Sequence, residues 1–214
     1  MPGNIPNPIW VFRIVHQDNL KYLLEHGMFS GTHPDRDPNY IFIGDNLLTQ
    51  QRETFALPIE GAGNIGAYVA FYFCPRSPML FNIKTGHRGI PQLPQSEILY
   101  LCCRVDCLDE NGAEWAFTDG HAKNFLTSFY TQRADFDKVD WNLRWEQYWH
   151  NTEEDPDRQR RKQAEFLVRH HVPPECIDRI VVYDESSVVY VQEIIAEVDR
   201  NVEVYINPQG KFYY

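Results

Sequence analysis

The chain has 214 residues, with 20 lysines and arginines against 30 aspartates and glutamates and a formal net charge of −10. That balance argues against a dedicated double-stranded DNA binder, which carries a basic footprint, while leaving room for a small basic groove on an acidic body. At 43% hydrophobic and 14% aromatic, the chain can bury a real core, which argues against global disorder. There is no run of about 18 apolar residues, so no transmembrane helix is expected. The stretch Met1-Pro2-Gly3-Asn4-Ile5-Pro6-Asn7-Pro8 has neither a basic start nor an apolar centre, so no signal peptide is expected. Five cysteines, an odd number set in apolar strings, favour reduced thiols in a cytoplasmic protein.

Residues 10–15 read as the first strand. Residues 17–26 read as a helix with Leu20, Leu23 and Leu24 on one face, and Gly27 is placed to cap it in a left-handed conformation. His16, Asn19 and His26 sit at or near the ends of these elements, where ligands usually meet a scaffold. Residues 30–39, with Gly31, Pro34 and Pro38, form a loop. Residues 40–44 read as a second short strand, and 47–55 as a helix carrying Gln50, Gln51, Arg52 and Glu53. The three glycines of 58–66 make a flexible connection. No lysine follows them at phosphate-loop spacing, so a nucleotide P-loop is rejected.

Residues 67–74 are the strongest strand, an unbroken run rich in aromatic residues with a β-branched valine. Pro75 and Pro78 then fix a rigid turn that presents Arg76, with a short segment at 80–83 and loop at 84–96. Residues 98–105 are another buried strand. Cys102, Cys103 and Cys107 invite a metal reading, but adjacent cysteines on a strand point to opposite faces and no second Cys/His pair follows at zinc spacing. Buried thiols account for them better. Residues 115–118 are a short strand, Asp119-Gly120 a turn, and 122–129 a helix after His121. A long polar stretch with scattered aromatics runs over 130–140. Residues 141–149 read as a helix whose stripe of Trp141, Trp145, Tyr148 and Trp149 suits a core face. An acidic loop, 151–157, leads into the basic run Arg158, Arg160, Arg161 and Lys162. Arg76, Lys84 and Arg88 form a second basic cluster. Both clusters read as solvated charge or as phosphate contacts.

The string Arg161-Lys162-Gln163-Ala164-Glu165-Phe166-Leu167-Val168 then sets one carboxylate on a half-buried strand. Phe166 and Val168 alternate with Glu165 and Leu167. A carboxylate on an inward face is costly without a partner or a task. It is therefore either half of an ion pair with a nearby arginine or a catalytic group in a cleft. Beyond it, the Pro173-Pro174 turn, a short turn or helix at 175–177, a strand at 180–183, a helix at 187–198 and a last strand at 202–206 complete the chain. There is no internal repeat and no long linker, so one α+β domain over residues 1–214 is expected. The chain contains neither an HExxH nor a Cys-x-x-Cys pair, and no carboxylate cluster with two-metal spacing that would suit a nuclease. One carboxylate, an isolated Arg52, ring-bearing side chains at strand ends and single histidines suit a transferase of a flat, phosphorylated ligand better than a metal hydrolase.

Four segments resemble the DarT family of DNA ADP-ribosyltransferase toxins: residues 12–20, beginning Phe12-Arg13-Ile14-Val15-His16; residues 68–80, with the long Phe71-Tyr72-Phe73-Cys74-Pro75-Arg76-Ser77-Pro78-Met79 string; Phe117-Thr118-Asp119-Gly120-His121-Ala122; and the string around Glu165. The resemblance implies an ADP-ribosyltransferase fold, a split and mostly antiparallel β core with helices and long loops around it. It implies transfer of ADP-ribose from NAD, as co-substrate, onto a thymine base in single-stranded DNA, with no metal and no membrane. A macrodomain antitoxin resembling DarG is the implied partner. By motif, Glu165 and Arg52 are the implied catalytic pair. The resemblance places NAD against Phe12, Arg13, Ile14, His16, Asn19, Gly27, Arg52 and Tyr72, and DNA against Arg76, Met79, His121, Tyr130, Arg158, Arg160 and Arg161. Arg13 stands where many relatives have His, and Val15 where many have Thr. The alternatives are transfer to RNA or protein on the same scaffold, or a non-catalytic module that binds NAD or nucleic acid.

The implied chemistry is coherent. Breaking the nicotinamide–ribose bond develops positive charge on the sugar, as in glycosidic cleavage. Glu165 would take the proton of the thymine ring N–H as general base, and Arg52 would steady charge spreading onto the base's oxygens. A single strand makes extruding a base cheap. Tyr130 or Phe136 would stack on bases, and residues 158–162 would track phosphates.

Overall fold

The computed structural model describes residues 3–214; Met1 and Pro2, the start of the stretch read for a leader, lie outside them. In chain order the regular elements are β1 (Trp10–His16), α1 (Leu20–His26), β2 (Met28–Phe29), α2 (Asn46–Glu53), β3 (Tyr68–Tyr72), α3 (Pro78–Thr85), β4 (Ile98–Arg104), α4 (Val105–Glu110), β5 (Trp115–Thr118), β6 (Phe129–Tyr130), α5 (Arg158–Lys162), β7 (Glu165–Arg169), β8 (His171–Val172), β9 (Arg179–Val182), α6 (Glu185–Glu197) and β10 (Glu203–Ile206). An eight-stranded sheet runs β10-β9-β4-β1-β3-β7-β5-β6, and β2 pairs with β8 apart from it. Within the large sheet, β9 and β10 run parallel and the other pairs antiparallel. The expected α+β class and mostly antiparallel core are present. No helix among the described residues is long and apolar enough to cross a membrane.

Strand β4 shows why the sheet is stable. Leu99, Leu101 and Cys103 enter one core, with Leu20, Leu23 and Leu24 of α1 and Val191 and Ile194 of α6. Ile98, Tyr100 and Cys102 enter the other, with Leu80 and Ile83 of α3 and the C-terminal Phe212 and Tyr213. A strand covered on both faces reads as a continuous apolar run, and each fully buried aliphatic or aromatic side chain contributes about 1.5–3 kcal/mol. Cys102 and Cys103 face opposite cores, and all five thiols are free and buried.

The sheet is split between β1 and β3. Strand β1 pairs with β4 along its whole length, from Trp10 opposite Arg104 to His16 opposite Ile98. Strand β3 pairs with β7 in the same way, from Tyr68 opposite Arg169 to Tyr72 opposite Glu165. Between β1 and β3 the register is one pair, Phe12 opposite Tyr72. The Arg13 guanidinium donates to the Ala70 carbonyl (2.8 Å) across the gap.

Val105 leaves the strand read over 98–105 to start α4, the basic run 158–162 forms α5, and β2 and β8 were not read; four further elements differ because side chains capture backbone groups. Residues 40–44 form no strand: Ile41 exchanges both its backbone hydrogen bonds with the Asn19 amide (2.8 Å each) instead of a neighbouring strand. Residues 122–129 form turns, ending in β6, because the Ala122 N–H goes to Glu165 and Asn124 and Thr127 bond locally, the usual competition from such side chains. Residues 141–149 wind only over Trp141–Leu143. The carbonyls of Leu143, Arg144 and Glu146 turn instead to the Lys162 ammonium at 2.8, 3.3 and 2.8 Å. The aromatic stripe is thereby divided, with Trp141 and Trp149 buried and Trp145 and Tyr148 exposed. Residues 78–85, read as a short segment and loop, form α3 because Pro78 starts it and Ser77 caps the Leu80 N–H.

Lys162, read as a phosphate contact, is fully buried; burial pulls its pKa below the ordinary lysine value. Lys162→Met is expected to strand those carbonyls and cost about 3 kcal/mol in denaturant unfolding, since an orphaned buried polar group costs about 1–3 kcal/mol. Gly27 caps α1 as expected, its N–H on the Leu23 carbonyl, but at φ 81° and ψ −168° rather than in the left-handed helical well. A Cβ there would sit 2.2 Å from the Val172 carbonyl oxygen. Gly27→Ala is therefore expected to destabilise by about 2 kcal/mol or more, because strained φ and a backbone clash add, read as a lower unfolding midpoint.

Candidate active site

The sheet split opens into a cavity of about 770 Å³. Glu165 begins β7 at its floor and is 1% exposed. The strand is buried on both faces rather than half-buried: Phe166 and Val168 enter the large core, while Leu167 packs with Tyr68, Ala116 and Ala122. Glu165 shares the Leu167 side, as its parity requires. Its backbone N–H is held by Thr118 Oγ1 (3.0 Å).

Arg52, from the last turn of α2, meets Glu165 fork to fork: Nη1 to Oε1 at 3.0 Å and Nη2 to Oε2 at 2.7 Å. Asp45 caps the start of that helix through the Leu48 N–H. The Ala122 N–H donates to Oε1 at 3.0 Å. Burial pushes the Glu165 carboxyl up, but the Arg52 charge and hydrogen bonds, with His121 and Ala122, outweigh it and hold the group below the usual carboxylate range. A carboxylate offers about four lone-pair positions. Oε1 uses two, on Arg52 and Ala122, whereas Oε2 uses one, on Arg52. Oε2 therefore keeps room for a further proton donor. The ion-pair reading of Glu165 holds.

Two groups flank the pair. Tyr72 faces Glu165 across the β3–β7 register, and burial and the carboxylate push its phenol well above the ordinary tyrosine value. Burial lowers the pKa of His121, so at neutral pH it is a neutral imidazole.

Of the residues expected at the site, Arg13, Ile14, Arg52, Tyr72, Met79, His121, Arg160 and Glu165 line the cavity. The others are not among its lining residues. Phe12 packs edge-on to Phe212, His16 caps the following turn through the Asp18 N–H, Asn19 braces Ile41, and Gly27 closes α1. Arg76 bonds the Tyr213 carbonyl (2.8 Å) and the Gly210 carbonyl, tying down the C-terminal segment. Tyr130 lies flat on Phe117, and Phe136 is a core residue. The basic run is neutralised: Arg158 pairs with Glu146, Arg160 with Asp157 and Asp119, and Arg161 with Asp140 and Asp155. These pairs pin α5 to the loops on either side of β7. Sequence reasoning missed Phe29, Arg36, Tyr40, Asn124 and Gln163, which also line the cavity. Arg36 and Tyr40 sit in a polar stretch with no periodicity, where only the tendency of binding residues to lie on loops could have pointed to them.

Comparison with known proteins finds relatives over nearly the whole chain. The family model described as "ssDNA thymidine ADP-ribosyltransferase, DarT" matches residues 12–214. A DNA ADP-ribosyl transferase of Escherichia coli O127:H6 is 31% identical over 98% of this chain and 95% of its own length. The structure of Thermus sp. 2.9 DarT in complex with ADP-ribosylated ssDNA superposes with a TM-score of 0.89 at 29% identity, covering 100% of both chains. The same protein in complex with NAD+ gives 0.82 at 29% identity over 99% of this chain and 100% of that one. With a family model matched over residues 12–214 and a relative 31% identical along nearly its whole length, the chain belongs to the DarT family of single-stranded DNA thymidine ADP-ribosyltransferases.

Proposed function

We propose that this chain, acting as one domain over residues 1–214, moves ADP-ribose from NAD onto a thymine base of single-stranded DNA, with Glu165 as general base and Arg52 as its electrostatic partner. The observation that carries the reading is the buried, ionised Glu165 among the cavity-lining residues, with Oε2 accepting one hydrogen bond, from Arg52. The bond from the ribose to the nicotinamide nitrogen breaks, and nicotinamide leaves with the electron pair. The thymine ring N–H gives its proton to Glu165 Oε2, and the freed nitrogen lone pair attacks the sugar carbon. Glu165 later releases the proton to water. Arg52 stabilises the base's negative charge as it develops, a contribution worth several kcal/mol in sites of this kind.

A cavity of about 770 Å³ lies within the usual range for organic ligands, about 300–1,000 Å³, and suits a dinucleotide. Arg13 and Arg36 on its wall have no carboxylate partner among the described residues and suit a pyrophosphate. Ile14 and Tyr72 give the donor an apolar and a ring surface. Met79, His121 and Arg160 are the DNA-side contacts among the residues named from sequence. A toxin role, opposed by a macrodomain antitoxin that removes the mark, follows from the family. The reduced thiols and NAD as donor support a cytoplasmic setting.

The test offers NAD with thymine-containing single strands, RNA and protein side by side and weighs each acceptor. The expected result is the mass of one ADP-ribose on the DNA strand alone. Mass gain on RNA or protein, with the DNA unchanged, would overturn the acceptor assignment.

A further inference from the structure

The cavity lip next to Glu165 carries apolar surface that the fold itself does not use. Phe125 is 91% exposed and Leu126 58%, and Leu47 of the neighbouring α2 is 65% exposed. Leaving a whole phenyl ring in water forgoes about 1.5–3 kcal/mol of burial. The segment that bears it is well ordered by hydrogen bonds. The Asn124 N–H donates to the His121 carbonyl (2.9 Å), the Leu126 N–H to Asn124 Oδ1 (3.0 Å) and the Thr127 N–H to the Asn124 carbonyl (3.0 Å). Thr127 Oγ1 donates to the His121 carbonyl (2.9 Å), and the Ser128 N–H to Asp119 Oδ1 (2.9 Å). Lys123 Nζ reaches Gln51 of α2 at 2.6 Å. Asn124 and Leu126, on either side of Phe125, both line the cavity, and Ala122, three residues back, holds the Glu165 carboxylate.

Charge says what this lip receives. The chain carries a net charge of −10, yet residues 120–134 contain no aspartate or glutamate. An anionic strand meets no carboxylate of that segment there. An exposed ring on a hydrogen-bonded loop, at the mouth of a site whose acceptor is a base, matches the platforms on which single-stranded nucleic acids stack.

We propose that Phe125 stacks on the nucleobase flanking the target thymine and thereby holds the strand so that one base enters the cavity. The assignment rests on the acceptor proposed above. It also explains how an acidic protein whose basic run is internally neutralised grips DNA: base faces supply much of the binding, and phosphates less.

The experiment measures transfer kinetics on a thymine-containing oligonucleotide for wild type, Phe125→Ala and Phe125→Trp. The exposed position makes all three foldable. The alanine variant is expected to raise KM for the oligonucleotide roughly ten- to a hundredfold, the range of one lost base–aromatic stack, with NAD affinity unchanged. Tryptophan is expected to stay within a few-fold of wild type. Replacing one flanking base by an abasic site should cost wild type a similar factor and cost the alanine variant nothing further, as partners in one contact behave. Wild type that labels the oligonucleotide, with an alanine variant of equal KM or full additivity with the abasic site, overturns the Phe125 assignment alone. Wild type that labels no DNA overturns the acceptor reading and this assignment with it.

Discussion

Glu165→Gln is expected to lower ADP-ribose transfer to single-stranded DNA by roughly a hundred- to ten-thousandfold, the contribution of a positioned general base. Glutamine keeps the size and the polar shape of the side chain. It can still accept from the Ala122 N–H and from one Arg52 nitrogen, the contacts seen at 3.0 Å on Oε1. It cannot take a proton at the Oε2 position. NAD affinity is therefore expected to stay within a few-fold, because the cavity wall formed by Arg13, Ile14 and Tyr72 is untouched. The loss should fall on kcat, where interactions made only in the transition state appear. Weighing the oligonucleotide over time and titrating NAD by calorimetry separate the two. Transfer at the wild-type rate would remove Glu165 from the chemistry.

Arg52→Gln has the second large effect, and its signature is in the pH profile. In the wild type, Arg52, with smaller help from His121 and the Ala122 N–H, outweighs burial and holds the Glu165 carboxyl below the ordinary glutamate value. The acid limb of kcat/KM assigned to this group should accordingly lie below the ordinary glutamate range, leaving the base ionised throughout the neutral range. Without Arg52, burial dominates and pushes the carboxyl upward, so the limb moves toward neutrality. The sign for stability follows the same shift. A folded-state pKa below the unfolded one stabilises the protein above the unfolded value, and that contribution is lost as pH falls through the folded value. The variant reverses the linkage: it is least stable at neutral pH and regains stability on acidification as the lone buried carboxylate takes up a proton. The neutral-pH rate is expected to drop about a hundredfold, typical for removal of one charge-stabilising donor. Lysine should rescue poorly, since a point charge cannot span both carboxylate oxygens as the guanidinium does. A pH–rate profile superimposable on wild type would show that Arg52 does not set the charge state of Glu165.

The position of the basic residues bears on how DNA is held. Arg158, Arg160 and Arg161 each hold carboxylates, and their pairs tie α5 to the 119–128 and 140–157 loops. Their first task is to shape the walls around β7. Arg160 also accepts the His121 N–H on its carbonyl (3.0 Å), so the run places the His121 loop even where it does not touch a phosphate.

The central strands and their role were legible in the sequence because their signal is local. A strand buried on both faces is a continuous apolar run, as in β4, and inward carboxylates stand out against such a background, as Glu165 does. The Arg52–Glu165 ion pair was also within reach, although nothing local joins two residues that lie 113 apart; the family resemblance suggested that link. What the sequence could not show was decided by long-range capture of backbone groups. The Lys162 ammonium unwinds 141–149, Asn19 replaces a strand partner for Ile41, and Glu165 draws the Ala122 N–H out of a helix. In each case local propensity favoured a regular element, and a buried polar side chain from elsewhere offered the backbone a better partner. The amino-acid order thus determined which strands bury the core and which carboxylate stands out within it. Only the folded chain decided which loops line the cavity and which charges are already spent on each other, because a buried polar group must be satisfied by whatever the tertiary structure brings within hydrogen-bonding distance.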